Sequence, residues 1–301
     1  MKLVTKIVGI CSLIFQVQAF AVLSPEEIAC NTALNKGDTK QALIQAEALL
    51  KINDKNENAL LCQGRAFYQT GQMENALKSF GAAETSATDF YEKAFASLLA
   101  GHTLKHMKQP EKAIASYEKS LVYSMKTPTQ GLKFSNHMNI GDVQLIEKRY
   151  PQAISEFQQA NALAANDNER GESLEQLATS YFLSNDYPHA LETEIKAQIM
   201  MEKVGTLDQY AAASINLGRY YYANQQYAQA ERTLNKIIEF ARKQGGLYYE
   251  AKGSYCLAQV KAAQNETEKA KSLVAHALKI AVDTNDEALE AEIKAEVSNL
   301  F

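Results

Sequence analysis

His102 and His106 stand four residues apart, the spacing at which two imidazoles on one helix face can share a metal ion. Zinc-dependent peptide hydrolysis needs a glutamate directly after the first histidine, and Thr103 stands there instead. The pair therefore reads as part of a solvated helix face. Paired carboxylates such as Glu192 and Glu194 could do acid–base work, but an all-helical surface carries such pairs as a matter of course, so they too read as surface. His137 and His276 stand alone, and His189 follows Pro188 at a helix start. No P-loop, G-x-G-x-x-G or G-x-S-x-G pattern occurs, which leaves neither a nucleotide cradle nor an acyl-transfer nucleophile. The sequence thus gives no reason to expect an enzyme, a cofactor or a bound metal.

Thiols and the start of the chain carry more information. Residues 1–21 hold Lys2 and Lys6, then an apolar run over residues 7–15, then Ala19-Phe20-Ala21. A charged start, an apolar centre and a small-residue end make a secretory signal peptide, with cleavage expected after Ala21. The alternative is a membrane anchor, against which the run is well short of the roughly 20 residues a span needs. A lipoprotein fits less well, because Cys11 comes too early and the residues before Cys30 are acidic. The mature chain is expected in the periplasm of a bacterium, or secreted otherwise. Cleavage removes two lysines and no acid, so the formal charge falls from −4 to −6. Without a basic run, such a chain offers nothing to nucleic acid or to anionic lipid. Cys30, Cys62 and Cys256 remain, and an oxidising compartment permits one disulfide and leaves one thiol over. Cys256, within GSYCLAQV, should lie on a buried helix face.

The elements that carry these residues follow from composition and pattern. The 301 residues are 46% hydrophobic and 22% charged, with 14 Gly, 5 Pro and no Trp, which suits a folded soluble chain. Ala, Leu, Glu, Gln and Lys abound and favour helix, and no alternating run of Val, Ile or Thr suggests a strand. The stretch NIGDVQLIEKRYPQAISEFQQA, residues 139–160, reads as two helices around a break at Arg149-Tyr150-Pro151. A lone hairpin buries one apolar stripe and leaves its other faces open, so the unit should recur. It does. A small residue followed twelve places later by another marks Cys30 and Ala42, Gly64 and Ala76, Gly101 and Ala113, Gly141 and Ala153, Ala178 and Ala190, Gly218 and Ala230, and Ala258 and Ala270. Four places after the second small residue come Phe80, Tyr117, Phe157 and Leu234, and seven places after it Ala83, Ala160, Ala197 and Ala277. Small residues let paired helices approach, and the bulky one fills the wedge against the next pair. Gly37 and Gly71 stand where the first two breaks must end a helix.

This pattern resembles the tetratricopeptide repeat (TPR) family over about residues 24–283. It departs from that family in lacking the large aromatic early in each first helix and the proline after each second helix. Intervals of 37 and 40 residues imply an extra turn on the second helix or a longer connection. The resemblance implies an all-α, right-handed superhelical solenoid of about seven hairpins over residues 22–283. Residues 284–301 form one more helix, capped by Asp286, with Ala288, Leu289, Ile293 and Val297 on its core face and Glu287, Glu290, Glu292 and Glu296 outward. It reads as a terminal cap, the alternative being a helix that binds a partner. Neighbouring first helices lie side by side in such a stack, which makes Cys30 and Cys62 the better disulfide pair, the alternative being buried free thiols. First helices also line a concave groove, which in the family holds peptide segments. Arg65, Tyr68, His102, Lys105, Phe182, Arg219 and Tyr222 are the expected groove residues. With Arg65, His102 and Lys105 on adjacent copies, the N-terminal half should be cationic and suit an acidic or carboxylate-bearing peptide. The expected function is an exported protein–protein interaction scaffold of the cell envelope, the alternative being a small-peptide sensor that changes conformation on binding.

Overall fold

Fifteen helices and no strand make up residues 24–300, the part of the chain that the computed structural model describes. The segment read as a signal peptide lies outside the described residues. Seven antiparallel hairpins follow one another: α1 (Pro25–Asn35) with α2 (Thr39–Ile52), α3 (Glu57–Gln69) with α4 (Met73–Ser86), α5 (Phe90–His106) with α6 (Pro110–Ser124), and α7 (Gln130–Ile146) with α8 (Tyr150–Leu163). The series continues with α9 (Asp167–Leu183) and α10 (Tyr187–Val204), α11 (Leu207–Ala223) and α12 (Tyr227–Gln244), and α13 (Leu247–Ala263) and α14 (Thr267–Asp283), and ends on α15 (Glu287–Val297). Each helix packs on the next, and each first helix also touches the first helices beside it. The result is a TPR-like solenoid.

One turn closes every hairpin. A residue with positive φ sits five places before each second small residue: Gly37, Gly71, Lys108, Lys148, Asn185, Gln225 and Asn265. The amide after it donates to the carbonyl five residues back, as from Asp38 to Ala33, Arg149 to Gln144 and Glu266 to Lys261, at 2.8–2.9 Å. That bond uses a carbonyl the helix end would leave free. Gly37 and Gly71 adopt the left-handed conformation without a Cβ penalty, whereas the later copies place lysine, asparagine or glutamine there. Asn285 repeats the turn between α14 and α15.

Close approach within each hairpin explains the small residues. The second small residues, from Ala42 to Ala270, are all 0% exposed. A Cβ placed on Gly64 would lie 2.5 Å from the Phe80 ring, one on Gly141 2.6 Å from Phe157, and one on Gly218 2.5 Å from Leu234. Gly101 faces Tyr117 in the same way. The bulky side chain of each second helix thus fills the space that its first helix leaves open. The longer repeats arise in both helices. Second helices reach 17 or 18 residues from α10 onward, and first helices already lengthen from 13 residues in α3 to 17 in α5.

The ends are held differently. Ser24 and Glu27 form a capping box on α1, and the Glu27 carboxylate also accepts from the amides of Asn56 and Asn58. Cys30 and Cys62 are joined by a disulfide between α1 and α3, with their Cα atoms 6.3 Å apart. Cys256 is buried and unpaired, and burial pushes its thiol pKa up to about 12. At the other end Asp286 caps α15 through the Leu289 amide, and Leu289 and Ile293 are buried. Ala288 is exposed instead of facing the core. Glu292 and Glu296 do not point outward either. Glu292 pairs with Lys252 at 3.0 Å and Glu296 accepts from Gln259, so α15 lies beside α13 where an eighth first helix would stand.

Candidate functional site

Successive first helices place equivalent residues in rows, and polar contacts run along them from one hairpin to the next. The Arg65 guanidinium donates to Asn31 at 2.9 Å, Lys105 pairs with Asp142 at 3.0 Å, and the Thr179 and Tyr220 hydroxyls lie 3.3 Å apart. Two clefts open between these rows. The larger, about 650 Å³, is lined by Tyr68 from α3, His102, Lys105 and His106 from α5, and Asn139, Val143, Ile146 and Glu147 from α7. Lys108 and Pro110 close its end at the turn. Arg65 is not among its lining residues, although it stands on the same helix as Tyr68.

The cationic character expected of this half is reduced, although Lys108 lines the cleft without an ion pair among the described residues. Lys105 is spent on Asp142. Burial pushes the His102 pKa down, and nearby Lys105 pushes it further, so this imidazole is neutral at pH 7. Arg65, bonded only to a neutral amide, keeps its charge unspent. His102 is not on a solvated face either: its ring packs edge-on to Tyr117 with centroids 5.6 Å apart, and its Nε2 is buried without a partner. His106 turns away to meet Tyr68, with ring centroids 5.8 Å apart. Among the described residues no group of three or more His, Cys, Asp or Glu side chains is placed to hold a metal.

A second cleft of about 340 Å³ gathers Phe182 from α9, Arg219 and Tyr222 from α11, Tyr187, Tyr227, Gln259 and Glu296. Phe182 stacks on Tyr220 at 4.6 Å, and the Arg219 guanidinium lies 5.5 Å from the Phe182 ring. Glu296 approaches Arg219 to 3.8 Å, so the C-terminal helix supplies one wall and the counter-charge. Glu296 was hidden from sequence reasoning because its role depends on α15 taking the next first-helix place. Six of the seven expected groove residues therefore line two clefts, three in each.

Between the clefts, hairpin five breaks the pattern. Glu194 occupies the wedge position held elsewhere by Phe80, Tyr117, Phe157 and Leu234, and it is 0% exposed. The sequence reading had it on the surface. The structure buries it because α10 runs in register with the other second helices, and that position always faces inward. Neither carboxyl oxygen has a hydrogen-bond partner. Burial, and then the charge of Glu175, hold its pKa well above the usual carboxylate range. Glu175 itself is raised by burial and by Glu172. The signal for this cluster lay in the repeat alignment, one copy of which has an acid at the wedge.

Comparison with known proteins agrees with the architecture. A tetratricopeptide repeat family model matches residues 96–121, which span α5 and most of α6. The apo form of RapI is similar in structure, with a TM-score of 0.73 and 17% identity over 92% of this chain and 81% of that one. The C-terminal part of a TPR repeat-containing protein from Cytophaga hutchinsonii gives 0.66 and 13%, over 87% of this chain and 97% of that one. PilW, a type IV pilus biogenesis factor, gives 0.57 and 19%, over 70% and 90%. At these identities the likeness is one of fold. No curated protein matches by sequence. The fold generally serves as a scaffold for protein–protein interaction.

Proposed function

We propose that this chain is an exported scaffold of the cell envelope whose first-helix face binds a peptide segment of a partner protein. The observation that carries the reading is the pair of clefts, about 650 and 340 Å³, on the face formed by first helices. Each offers aromatic walls around a few polar atoms: Tyr68 and His106 beside Asn139 in one, Phe182 and Tyr222 beside Arg219 in the other. Aromatic and aliphatic anchors with sparse polar groups are what a peptide-binding surface needs. Export is supported by the layout of residues 1–21 and by a disulfide between Cys30 and Cys62, a bond that persists in oxidising compartments. No helix among the described residues is long and apolar enough to cross a membrane.

Crosslinking followed by affinity capture from envelope extract tests the proposal, with the wild type run beside a Tyr68→Ala, Phe182→Ala variant. Both side chains are partly exposed, so the variant should keep its fold. A partner captured by the wild type and lost by the variant is the expected result. Partners retained equally by both would place the interface on another face and refute the groove. Compaction on binding a small peptide, with no protein captured, would replace the scaffold by a sensor.

A further inference from the structure

In hairpin five, two carboxylic acids stand where most other copies put apolar side chains, and the charge of Glu175 acts on Glu194. Three residues before the first small residue, the repeats carry Leu61, Leu98, Met138, Glu175, Ile215 and Tyr255, all buried except Glu175, which is half-buried. Four residues after the second small residue stand Ala46, Phe80, Tyr117, Phe157, Glu194, Leu234 and Val274. Only hairpin one has another acid in either row, Glu27, and its carboxylate is satisfied by Ser24 and the amides of Asn56 and Asn58. Glu194 has no such help. The charges acting on Glu175 and Glu194 are those of other acids, with Glu172 one turn above Glu175. Lys105 and Arg219, the expected groove cations in the hairpins to either side, already face Asp142 and Glu296. A buried polar group without a partner is costly, and local rules are broken in this way mainly where a site is kept for something else.

We infer that hairpin five carries a subsite for a cationic group, the ammonium or guanidinium of a basic side chain in the bound polypeptide, with Glu175 at its mouth and Glu194 beneath. The inference rests on the groove reading and adds the chemistry of its ligand. The surroundings suit a lysine or arginine over its whole length. Phe182, stacked on Tyr220, offers a flat apolar wall for the aliphatic stem, and the Tyr220 and Thr179 hydroxyls lie 3.3 Å apart. The charges of Glu194 and Glu175 add to burial in pushing the Tyr220 pKa up. An entering cation supplies the missing counter-charge, and a proton held by the pair leaves to solvent.

The test uses decapeptide mixtures with one fixed central residue, lysine, arginine, norleucine or glutamate, and the other positions randomised. Retention is measured on immobilised protein produced from the full-length sequence, for the wild type, Glu175→Gln and Glu194→Leu. The expected result is about tenfold preference for lysine or arginine over norleucine in the wild type, with that preference lost in both variants. Glu175 is half-exposed, so its variant guards against a folding effect at Glu194. Equal retention of lysine and norleucine, preference for glutamate, or a preference that survives both substitutions overturns this inference and leaves the groove standing. Retention of no mixture overturns both. Free butylammonium is run as competitor: the peptide source is upheld if equimolar amine leaves retention unchanged, and overturned in favour of a small amine if it displaces the lysine mixture.

Discussion

Replacing Glu194 by leucine should make the protein more stable at neutral pH, a direction that few buried substitutions take. The position is fully buried, and both carboxyl oxygens lack partners. Leucine already fills the equivalent place in hairpin six, where Leu234 is 0% exposed. It has one heavy atom fewer than glutamate, so it fits opposite Ala178 without overpacking. Removing an unsatisfied buried polar group is worth about 1–3 kcal/mol. The pH dependence has a definite sign. Well below the ordinary value of 4.5, folded and unfolded chains both hold the proton, and the ionisation of Glu194 contributes nothing. As pH rises, the unfolded chain ionises first while the folded one resists, because Glu194 is buried and feels the charge of Glu175, itself raised by burial and by Glu172. Wild-type stability therefore falls through this range, and the share due to Glu194 vanishes in the variant. Urea unfolding of both proteins at pH 4 and pH 7 measures the effect. A gap that favours the variant at pH 7 and narrows at pH 4 is expected. A less stable variant at pH 7, or a gap that widens toward pH 4, would refute the reasoning.

Two further outcomes follow from the packing. Gly141→Ala should destabilise by about 1–3 kcal/mol, because its Cβ would lie 2.6–2.9 Å from three atoms of the buried Phe157 ring; Gly131→Ala on the same helix meets nothing within 4 Å and should be neutral or slightly stabilising in parallel thermal melts. Reducing the Cys30–Cys62 bond opens a loop of separation 32 and should cost about 3–4 kcal/mol; hydrogen exchange should localise the loss to α1–α4, and protection unchanged there would show that the bond does not hold that end.

Spacing revealed the hairpins because the small-residue pairs are set by backbone approach, which leaves no latitude at Gly64, Gly101, Gly141 or Gly218. Turn chemistry was legible only at Gly37 and Gly71. At Lys108, Lys148 and Gln225 the same left-handed residue is imposed by the two helices it joins, and nothing in a lysine or glutamine announces it. The rows of the groove were legible from register alone, yet their electrostatics were not. Arg65, His102 and Lys105 read as three cations, but the partner of Lys105 comes 37 residues later, and the charge of His102 depends on how deeply its ring is set. Glu194 was misread for a different reason. Its immediate neighbours, Glu192 among them, are a helix surface, and only alignment against Phe157 and Leu234 shows that its own place is the wedge.

These charges follow a rule that locates the groove's unspent chemistry. Along the first-helix rows several cations are matched by an acid from a later element: Lys105 by Asp142 of the next hairpin, Lys252 by Glu292 of α15, and Arg219 by Glu296 of that same α15. Pairs of this kind, half-exposed and reaching across helix boundaries, fix register while contributing only modestly to stability. They also cancel the field that either partner would present to a ligand. Not cancelled in this way are Arg65 and Lys108, in hairpins two and three, and the acids of hairpin five further on, whose neighbouring charges are those of other acids. Cations toward one end, and toward the other acids that would ionise against an arriving counter-charge, give the face a direction. A segment lying along it with an acidic group toward hairpin two and a basic one toward hairpin five would satisfy both, and the reversed segment would meet like charge at each end. A groove that binds a segment as proposed would therefore select orientation as well as composition, through the few positions where its repeat is broken.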